Sequence, residues 1–272
     1  MHAVPSRPWA EAPAAALQEV VGVLTDIDDT LTTSGAITPD ALAALVALRA
    51  IGLPVIALTG RPMGWSEPFA LAWPVDAIVA ENGAVAMWRG APGEVEIDYA
   101  QDAATRVHNT QRLREVTARL LRDVPGTSLA QDSAGRVTDI AIDHSECAHL
   151  TPAQITTVVA LMHAEGMNAT VSSIHINGWF GSHTKLTGAR WMVRRLLARD
   201  LDAEFDRWVY VGDSTNDQAM FGRFPLSVGV ANLLDFAAQL TVWPGYLTQG
   251  ARGAGFAEVA DRLLSLTDTR PR

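Results

Sequence analysis

The segment "VLTDIDDTLT" (residues 23–32) places three aspartates within four positions at the end of an apolar run. The run is short and rich in valine, which is typical of a strand that is covered on both faces. Two like charges about 4 Å apart repel by about 4 kcal/mol at an effective dielectric constant of about 20. Because Asp26 and Asp28 project to the same side of an extended chain, we expect a cation to compensate them.

The composition indicates a globular protein of one large domain or two modest ones. Its 272 residues are 48% hydrophobic and 19% charged, which argues against disorder. The formal charge of −9 leaves no basic face for a phosphate backbone, so we expect no nucleic-acid partner. The single cysteine, Cys147, cannot form an internal disulfide and fits a reducing compartment.

No segment of the sequence has the pattern of a membrane span or of a signal peptide. The most apolar stretch, residues 41–58, is interrupted by Arg49, Gly52 and Pro54. The first twenty residues lack the continuous apolar segment of a signal peptide. We therefore expect a cytoplasmic protein without a membrane partner, either a monomer or a small homo-oligomer.

Strands and helices alternate along the first eighty residues and again after residue 184. The best-defined helix covers residues 38–52, with Thr38 as the N-cap residue, Pro39 at the first helical position and Gly52 just after the end. Such successive strand–helix units predict a doubly wound α/β fold, with a parallel sheet between two layers of helices. The other elements predicted for this unit are strands over 20–25, 54–59, 76–80, 208–213 and 226–230, and helices over 185–199, from about 216, over 233–240 and over 254–265.

Residues 84–180 have a different pattern, which predicts a second α/β unit inserted into the first. Its predicted strands cover 84–88, 94–100, 137–144 and 169–176 and alternate with helices. Helices are predicted between them, over 103–122 and 151–165. The predicted domains are a core over 20–83 and 181–272, an insertion over 84–180, and a loosely attached N-terminal extension over 1–19.

Three polar residues, Asp26, Thr59 and Asp213, each lie at the carboxyl end of a predicted strand. Ligands of an open parallel sheet bind beyond the carboxyl ends of its strands, so these side chains should meet at one edge. Oxygen ligands suit Mg²⁺, which takes one or two carboxylates together with a substrate phosphate. The sequence therefore predicts a site for Mg²⁺ and a phosphate group.

Four short motifs, in this order along the chain, resemble those of the haloacid dehalogenase superfamily of phosphohydrolases. They are Asp26-Ile27-Asp28-Asp29-Thr30, then Thr59, then Lys185, then "GDSTND" with Asp213 and Asp217. The segment "ENGAV" (81–85) and the insertion resemble the IIB or Cof-type branch, which includes sucrose-, trehalose- and mannosylglycerate-phosphate phosphatases. The resemblance covers residues 20–264 and implies a Rossmann-like core with an inserted α/β cap of the C2 type. Asp29 stands where this branch most often has glycine.

The resemblance also implies chemical roles. Asp26 would attack phosphorus and form an aspartyl-phosphate, while Asp28 would act first as general acid and then as general base. Thr59 and Lys185 would donate hydrogen bonds to the phosphoryl oxygens. The implied activity is that of a Mg²⁺-dependent phosphatase, which hydrolyses a small phosphorylated metabolite such as a sugar phosphate.

The resemblance also implies which residues would bind the metal ion. Asp26 and Asp213 would hold Mg²⁺, and the backbone carbonyl of Asp28 is a further ligand in the family. Asp217 would be an indirect or alternative ligand, with Asn216 beside it.

Besides Thr59 and Lys185, the candidate substrate-binding residues are Gly60, Arg61, Asn82, Asn216, His175 and Asn177. Arg61 could instead cap the turn after its strand, and Asn82 could form a turn with Glu81. His175 also fits a strand with one exposed face, and Asn177 fits a turn with the glycine that follows it.

Two aromatic candidates stand near the end of the insertion. Trp179 favours a place in the core of the insertion over a role beneath a sugar ring, and His183 is a further candidate for recognising the leaving group.

Two other functions remain open on the sequence. A phosphosugar mutase would use the same aspartyl-phosphate but pass the phosphoryl group to a sugar hydroxyl instead of water. A non-catalytic module that senses phosphate or metal could also bind at this site, although the presence of Asp28 argues against it. The lack of a G-x-G-x-x-G segment after the first strand argues against a dinucleotide-binding protein.

Overall fold

Two large β-sheets form the framework of the chain, a computed structural model of which describes residues 5–266. In chain order the strands are β1 (Arg7–Pro8), β2 (Gly22–Thr25), β3 (Thr32–Thr33), β4 (Ala36–Ile37), β5 (Val55–Leu58), β6 (Ala77–Ala80), β7 (Val85–Arg89), β8 (Val95–Tyr99), β9 (Ser128–Leu129), β10 (Asp139–Asp143), β11 (Asn168–Val171), β12 (His175–Trp179), β13 (Trp208–Gly212), β14 (Leu226–Gly229) and β15 (Tyr246–Leu247).

The α-helices lie on the faces of these sheets. They are α1 (Ala14–Gln18), α2 (Pro39–Ala50), α3 (Met63–Ala72), α4 (Ala103–Asp123), α5 (Pro152–Ala164), α6 (Lys185–Leu197), α7 (Gln218–Phe221) and α8 (Arg252–Leu264).

The larger sheet has the strand order β1-β15-β14-β13-β2-β5-β6-β7-β8. Its strands from β1 to β6 in this order run parallel, and β7 and β8 are antiparallel to their neighbours. The chain leaves β2 towards β5 and later returns to β13 on the other side of β2. The strand order therefore reverses at β2, and a crevice for ligands forms at its carboxyl end.

Helices cover both faces of this sheet, as the apolar strands predict. Val23 of β2 and Val211 of β13 pack against the layer of α2 and α8. Leu24 and Tyr210, their neighbours along the chain, face the opposite layer, which α6 forms. Successive side chains of a strand point to opposite faces of the sheet. The same short strands therefore provide apolar contacts for both helix layers. The predicted doubly wound α/β fold is confirmed.

Local sequence signals explain where the best-predicted helix begins and ends. The Thr38 hydroxyl accepts the N–H of Ala41 at 3.4 Å, and Pro39 occupies the first turn of α2. Gly52 follows the helix with a φ of +73°, which glycine adopts without strain.

Two elements differ from the prediction. Helix α3 was not predicted, because Pro68 lies inside it and proline normally ends a helical pattern. The helix predicted over 233–240 is a 3₁₀ helix over Ala231–Gln239.

The N-terminal extension is part of the core and is not loosely attached. Residues 1–4 lie outside the described part of the chain, but β1 pairs in parallel with β15. Trp9 is buried and packs edge-on against Tyr246, with ring centroids 5.5 Å apart. Leu17 of α1 is fully buried in the same core cluster. The prediction failed because two large apolar side chains, separated mostly by alanines, show no periodic pattern.

We expect the substitution Trp9→Ala to lower the free energy of unfolding by about 3–5 kcal/mol, because it leaves a cavity in a packed core. Chemical denaturation followed by circular dichroism measures this loss. Val46→Ala is the control, since Val46 is 54% exposed on α2 and should change stability by less than about 0.5 kcal/mol. Equal effects of the two substitutions would show that the N-terminal segment does not contribute to the core.

The second sheet has the order β11-β12-β10-β9 and is antiparallel. Its helices α4 and α5 pack on one face, where Ile142 and Ile176 are buried among their side chains. The alternating residues of β12, His175 and Asn177, therefore point to the other face, towards the large sheet. A turn at Asn177 is excluded, because that residue lies in the middle of β12.

The division between the two units differs from the predicted one at residue 84. Strands β7 and β8 were predicted in the insertion, but they extend the large sheet as an antiparallel edge. The predicted strand over 169–176 is a hairpin of β11 and β12. The inserted unit, named the cap unit from here on, therefore runs from α4 through β12.

Between residues 5 and 266, no helix combines the length and the apolar character that a membrane crossing requires.

Candidate active site

Three carboxylates meet at the carboxyl ends of β2 and β13. Asp26 follows β2 directly, Asp213 follows β13, and Asp217 lies in the 3₁₀ turn after it. Each offers an oxygen within 4.8 Å of the others, and all three residues are buried. The parallel pairing of β2 with β13 places the first two side chains next to each other. The structure thus brings together acidic residues that are nearly 190 positions apart in the sequence.

Lys185, at the first turn of α6, provides the positive charge closest to this cluster. Its ammonium group donates to Asp26 Oδ1 at 2.5 Å and to Asp217 Oδ1 at 2.8 Å. Burial lowers the pKa of Lys185, but Asp217 and Asp26 together raise it above its usual range. The lysine is therefore protonated at neutral pH and links the nucleophile candidate Asp26 to α6.

Asp217 is saturated with hydrogen bonds from the protein. One oxygen accepts from Lys185 and from the Tyr210 hydroxyl, and the other accepts the N–H groups of Asp213 (3.0 Å) and Ser214 (3.1 Å). A carboxylate has about four acceptor positions, and protein groups fill all of them here. Asp217 thus suits a role in holding Lys185 and the Asp213 backbone better than a role as a direct metal ligand.

Gly212 makes this arrangement possible. A Cβ atom at that position would lie 2.5 Å from Asp217 Oδ2, much closer than any real contact. Tyr210 points into the same region from β13, and its fully buried phenol has a pKa raised well above its usual range by burial and by Asp217.

We expect Gly212→Ala to lower kcat/KM for phosphate-ester hydrolysis about 10- to 100-fold, because the added methyl group must displace Asp217 and with it Lys185. Steady-state kinetics with an aryl phosphate measures the loss. Gly222→Ala is the matched control in the same region, since its Cβ would meet its nearest neighbour at 3.3 Å. Full activity of the Gly212 variant would show that the position of Asp217 does not matter for turnover.

Asp213 has one side-chain partner, Asn232, whose amide donates to Asp213 Oδ2 at 3.2 Å. The same amide donates to the Asp29 carbonyl at 3.1 Å, so it also holds the turn after β2. Asn232 follows β14 at the same edge of the sheet, and the sequence analysis did not identify it. The rule that polar residues after parallel strands meet at one edge could have found it.

The cluster carries more negative charge than its lysine compensates. Burial above all, together with the neighbouring Asp217 and Asp28, raises the pKa of Asp26 to about 8, although Lys185 lowers it. Burial and the Asp26 carboxylate likewise raise the pKa of Asp213 well above its usual range. Oxygen-only donors with an excess negative charge fit a hard divalent cation such as Mg²⁺. Asp26 and Asp213 are the two carboxylates with acceptor positions to spare.

Asp28, the second acidic residue of the first motif, is held by residues that follow β5. Arg61 donates through Nε to Asp28 Oδ1 at 2.9 Å, and the Thr59 hydroxyl lies 3.4 Å from Oδ2. Burial lowers the pKa of Arg61, but Asp28 and Glu146 raise it above its usual range, so the guanidinium is charged. The structure thus places Asp28, Thr59 and Arg61 in contact with one another.

Asp29 adopts a left-handed conformation with a φ of +55°, which glycine would adopt without strain. Arg252, at the start of α8, donates to Asp29 Oδ1 at 2.9 Å. Aspartate is among the non-glycine residues that tolerate this region best. Asp29 thus occupies a backbone conformation that suits glycine, and its side chain contacts α8.

The cap unit is bound to the large-sheet unit by Glu81. Its carboxylate accepts the N–H groups of Met63 (3.0 Å), Val137 (3.0 Å) and Thr138 (2.6 Å), and the Thr138 hydroxyl as well. Glu81 is fully buried. The turn considered for Glu81 is present as a 3₁₀ turn over Glu81–Gly83, and its carboxylate in addition joins the two units.

A second joint uses three residues that were predicted to bind substrate. Arg136 and Asn177 both donate to the Gly60 carbonyl, at 3.0 and 3.3 Å. Asn177 and Asn82 both donate to Asp139, at 3.2 and 3.4 Å, and Arg136 is paired with the same carboxylate. Gly60, Asn82 and Asn177 therefore hold the two units together in this structure.

His175 and Asn216 line the cavity between the two units, and their predicted contact with substrate stays a prediction. His175 Nε2 is 2.9 Å from Glu146 Oε2, and burial lowers the pKa of this histidine, so it is neutral at pH 7. Trp179 is buried and donates to the His183 carbonyl at 2.9 Å, away from this cavity. The cavity is lined by Asp26, Asp28, Gly60, Arg61, Ser172, Ser173, Ile174, His175, Asn177, Asp213, Ser214 and Asn216.

This cavity has a volume of only about 10 Å³, which is close to the smallest that holds one water molecule. The two units are therefore closed over the carboxylates in this structure.

Known proteins resemble this chain in sequence and in fold. Residues 23–120 match the family model described as haloacid dehalogenase-like hydrolase. A putative HAD/COF-like hydrolase from Plasmodium vivax is 17% identical, with a TM-score of 0.66 over 93% of this chain and 99% of that chain. The sucrose-phosphatase of Synechocystis sp., in complex with sucrose and phosphate, is 15% identical, with a TM-score of 0.62 over 90% of this chain and 98% of that chain.

The C-terminal domain of trehalose-6-phosphate phosphatase from C. albicans is 14% identical, with a TM-score of 0.64 over 98% of both chains. No curated protein matches the sequence at a significant level. At these identities the structural likeness shows a shared fold. Together with the family match, it confirms the predicted resemblance to the haloacid dehalogenase superfamily and the predicted enzyme class, a hydrolase.

Proposed function

We propose that this haloacid dehalogenase-like hydrolase is a Mg²⁺-dependent phosphatase of a small phosphorylated metabolite, most suitably a sugar phosphate. The observation that carries the proposal is the meeting of Asp26, Asp28, Lys185 and Asp213 at one edge of the sheet. Two structural neighbours are named as phosphatases of sugar phosphates, which supports the substrate class. The single cysteine of the sequence supports a cytoplasmic place for this activity.

In this proposal Asp26 and Asp213 hold the metal ion. When bound, Mg²⁺ would offset the charge of the phosphate and of the carboxylates, so that an anionic nucleophile can approach phosphorus. Asp217 acts indirectly, since its four hydrogen bonds fix Lys185 and the Asp213 backbone.

Asp26 is the proposed nucleophile because it is the carboxylate nearest to both Lys185 and the crevice. Its attack on phosphorus gives an aspartyl-phosphate and releases the alcohol. Asp28 gives its proton to the leaving oxygen and later takes one from the water that hydrolyses the intermediate. Thr59 and Arg61 orient the Asp28 carboxylate for both steps, and Lys185 donates to a phosphoryl oxygen.

The cap unit is proposed to open and close over this site. The closed cavity cannot hold a phosphate ester, so the substrate must enter while the joints at Glu81 and Asp139 are parted or shifted. Closure then excludes water other than the attacking molecule.

Release of inorganic phosphate from an aryl phosphate in the presence of Mg²⁺ is the test of this function. A panel of phosphorylated metabolites then ranks the substrates by kcat/KM. Free phosphate is the deciding product, because phosphoryl transfer to a second sugar position would consume a hexose 1-phosphate without releasing it. A protein that binds Mg²⁺ and phosphate but releases none from any ester would contradict the proposal.

A further inference from the structure

Acidic side chains of the cap unit surround Arg61, the arginine at the mouth of the site. Its guanidinium contacts Asp132 at 3.1 Å and Glu146 at 3.5 Å, in addition to Asp28 at 2.9 Å. The Arg61 side chain is only 8% exposed and lies over the Trp65 ring at 5.2 Å. Three carboxylates therefore compensate one buried cation, and none of its charge is left for a ligand.

The position of Glu146 is fixed from the other side by the cap sheet. His175, in the central strand β12, holds Glu146 Oε2, and the histidine is neutral. Glu146 is 35% exposed, so it is the acidic group of this set that an incoming leaving group can reach most easily.

The remaining cations near the cavity are also paired. Lys185 is bound to Asp26 and Asp217, and Arg136 to Asp132 and Asp139. Within the described residues, the lining of the cavity thus includes no basic side chain with a free charge. A carboxylate or second phosphate on the leaving group would meet acidic groups without a cation to accept it, and such repulsion is strong in a partly buried site.

We infer that the cap unit selects phosphate esters whose leaving group carries hydroxyls and no second anionic group, and that Glu146 is the residue that enforces this choice. Carboxylate oxygens accept hydrogen bonds from hydroxyl groups and repel anions. This inference rests on the proposed phosphatase activity and narrows its substrate class.

Two probes that differ in one group test it. Glycerol 3-phosphate and 3-phosphoglycerate have the same phosphate ester, but one ends in a hydroxymethyl group and the other in a carboxylate. The wild-type protein should hydrolyse the first with a kcat/KM at least about tenfold higher, which corresponds to about 1.4 kcal/mol. Similar values for the two probes, or a preference for the anionic one, would overturn the inference.

The variant Glu146→Gln should lower this ratio about three- to tenfold, mainly through a lower KM for 3-phosphoglycerate, because the amide keeps an acceptor oxygen for hydroxyl groups but removes the charge that repels the carboxylate. Glu146→Asp keeps the charge and should keep the ratio. Glu115→Gln, on the exposed face of α4, is the matched control. An unchanged ratio in Glu146→Gln would contradict the role of this residue, because a merely structural effect changes both probes alike.

Hydrolysis of an aryl phosphate distinguishes a failure of the inference about the leaving group from a failure of the proposed phosphatase function. If the wild-type protein hydrolyses the aryl ester but does not discriminate between the probes, only the inference on the leaving group fails. If it hydrolyses no ester at all, the proposed function fails and the inference with it.

Discussion

The variant Asp26→Asn is expected to lose at least about 10⁴-fold in kcat for phosphate-ester hydrolysis. The reason is chemical, because an amide oxygen is a far weaker nucleophile than a carboxylate and cannot form an acyl phosphate. The contact with Lys185 can persist, since Asn also presents an oxygen to the ammonium group. Steady-state kinetics with an aryl phosphate, at saturating Mg²⁺, measures the loss.

The fold of this variant should be intact and at least as stable as that of the wild type without metal. Burial and neighbouring carboxylates disfavour a charge at Asp26, so a neutral side chain of the same shape relieves that cost. Circular dichroism and thermal unfolding check this point, with Asp261→Asn on the exposed face of α8 as the control. Retained turnover in Asp26→Asn would refute the assignment of the nucleophile.

Removal of Mg²⁺ is expected to abolish activity and to lower the melting temperature. A ligand at about 100 times its Kd stabilises the folded state by about 2.7 kcal/mol, which corresponds to about 5–10 °C in a protein of this size. EDTA should therefore abolish hydrolysis, and added Mg²⁺ should restore both activity and stability.

The gain in stability on adding Mg²⁺ should depend on pH. Burial raises the pKa of Asp26 from 3.8 to about 8, so between these values the metal-free folded protein binds a proton that the unfolded chain does not. This proton stabilises the folded state fully below the unfolded pKa, and the stabilisation is lost as the pH rises through the folded pKa. Mg²⁺ competes with that proton and should stabilise more at about pH 8 than at about pH 5.

Melting temperatures with EDTA and with Mg²⁺ at both pH values measure this dependence. The variant Asp213→Asn removes a proposed ligand and should lose most of the Mg²⁺ effect. A Mg²⁺ shift of equal size in that variant would place the metal elsewhere.

Much of the large-sheet unit and of the acidic cluster follows from the sequence, because both depend on local patterns. Short valine-rich runs predict β2, β5 and β13, and parallel strands bring their carboxyl ends to one edge. That rule alone joins Asp26, Thr59 and Asp213. The resemblance to a known superfamily adds Lys185, which no local pattern would bring to the site.

The errors concern contacts between distant segments. Strands β7 and β8 come directly before the cap unit in sequence, and only the pairing of β7 with β6 and of β8 with β7 shows that they extend the large sheet. Gly60, Asn82 and Asn177 lie near the site in sequence. Only the hydrogen bonds of the two asparagines to Asp139, and that of Asn177 to the Gly60 carbonyl, show that they join the two units. Such buried hydrogen bonds have no periodic signature in the sequence.

The residues that surround Arg61 were missed for a similar reason. Asp132 lies in a short 3₁₀ helix and Glu146 in a loop of the cap unit, where acidic residues usually face solvent. Their function depends on the position of the cap unit relative to β5, which a single sequence does not encode in a readable pattern. Tyr210 was missed for another reason, since an aromatic residue in a buried strand is ordinarily part of the apolar core.

The pairing of β1 with β15 has a consequence for truncating or tagging the N-terminal segment. A strand at the border of a sheet exposes a row of unsatisfied backbone groups that can recruit another molecule. Deleting the first nineteen residues as a dispensable tail would uncover β15 and the apolar surface beneath Trp9, and would favour aggregation. An affinity tag is therefore better added ahead of these nineteen residues than put in their place.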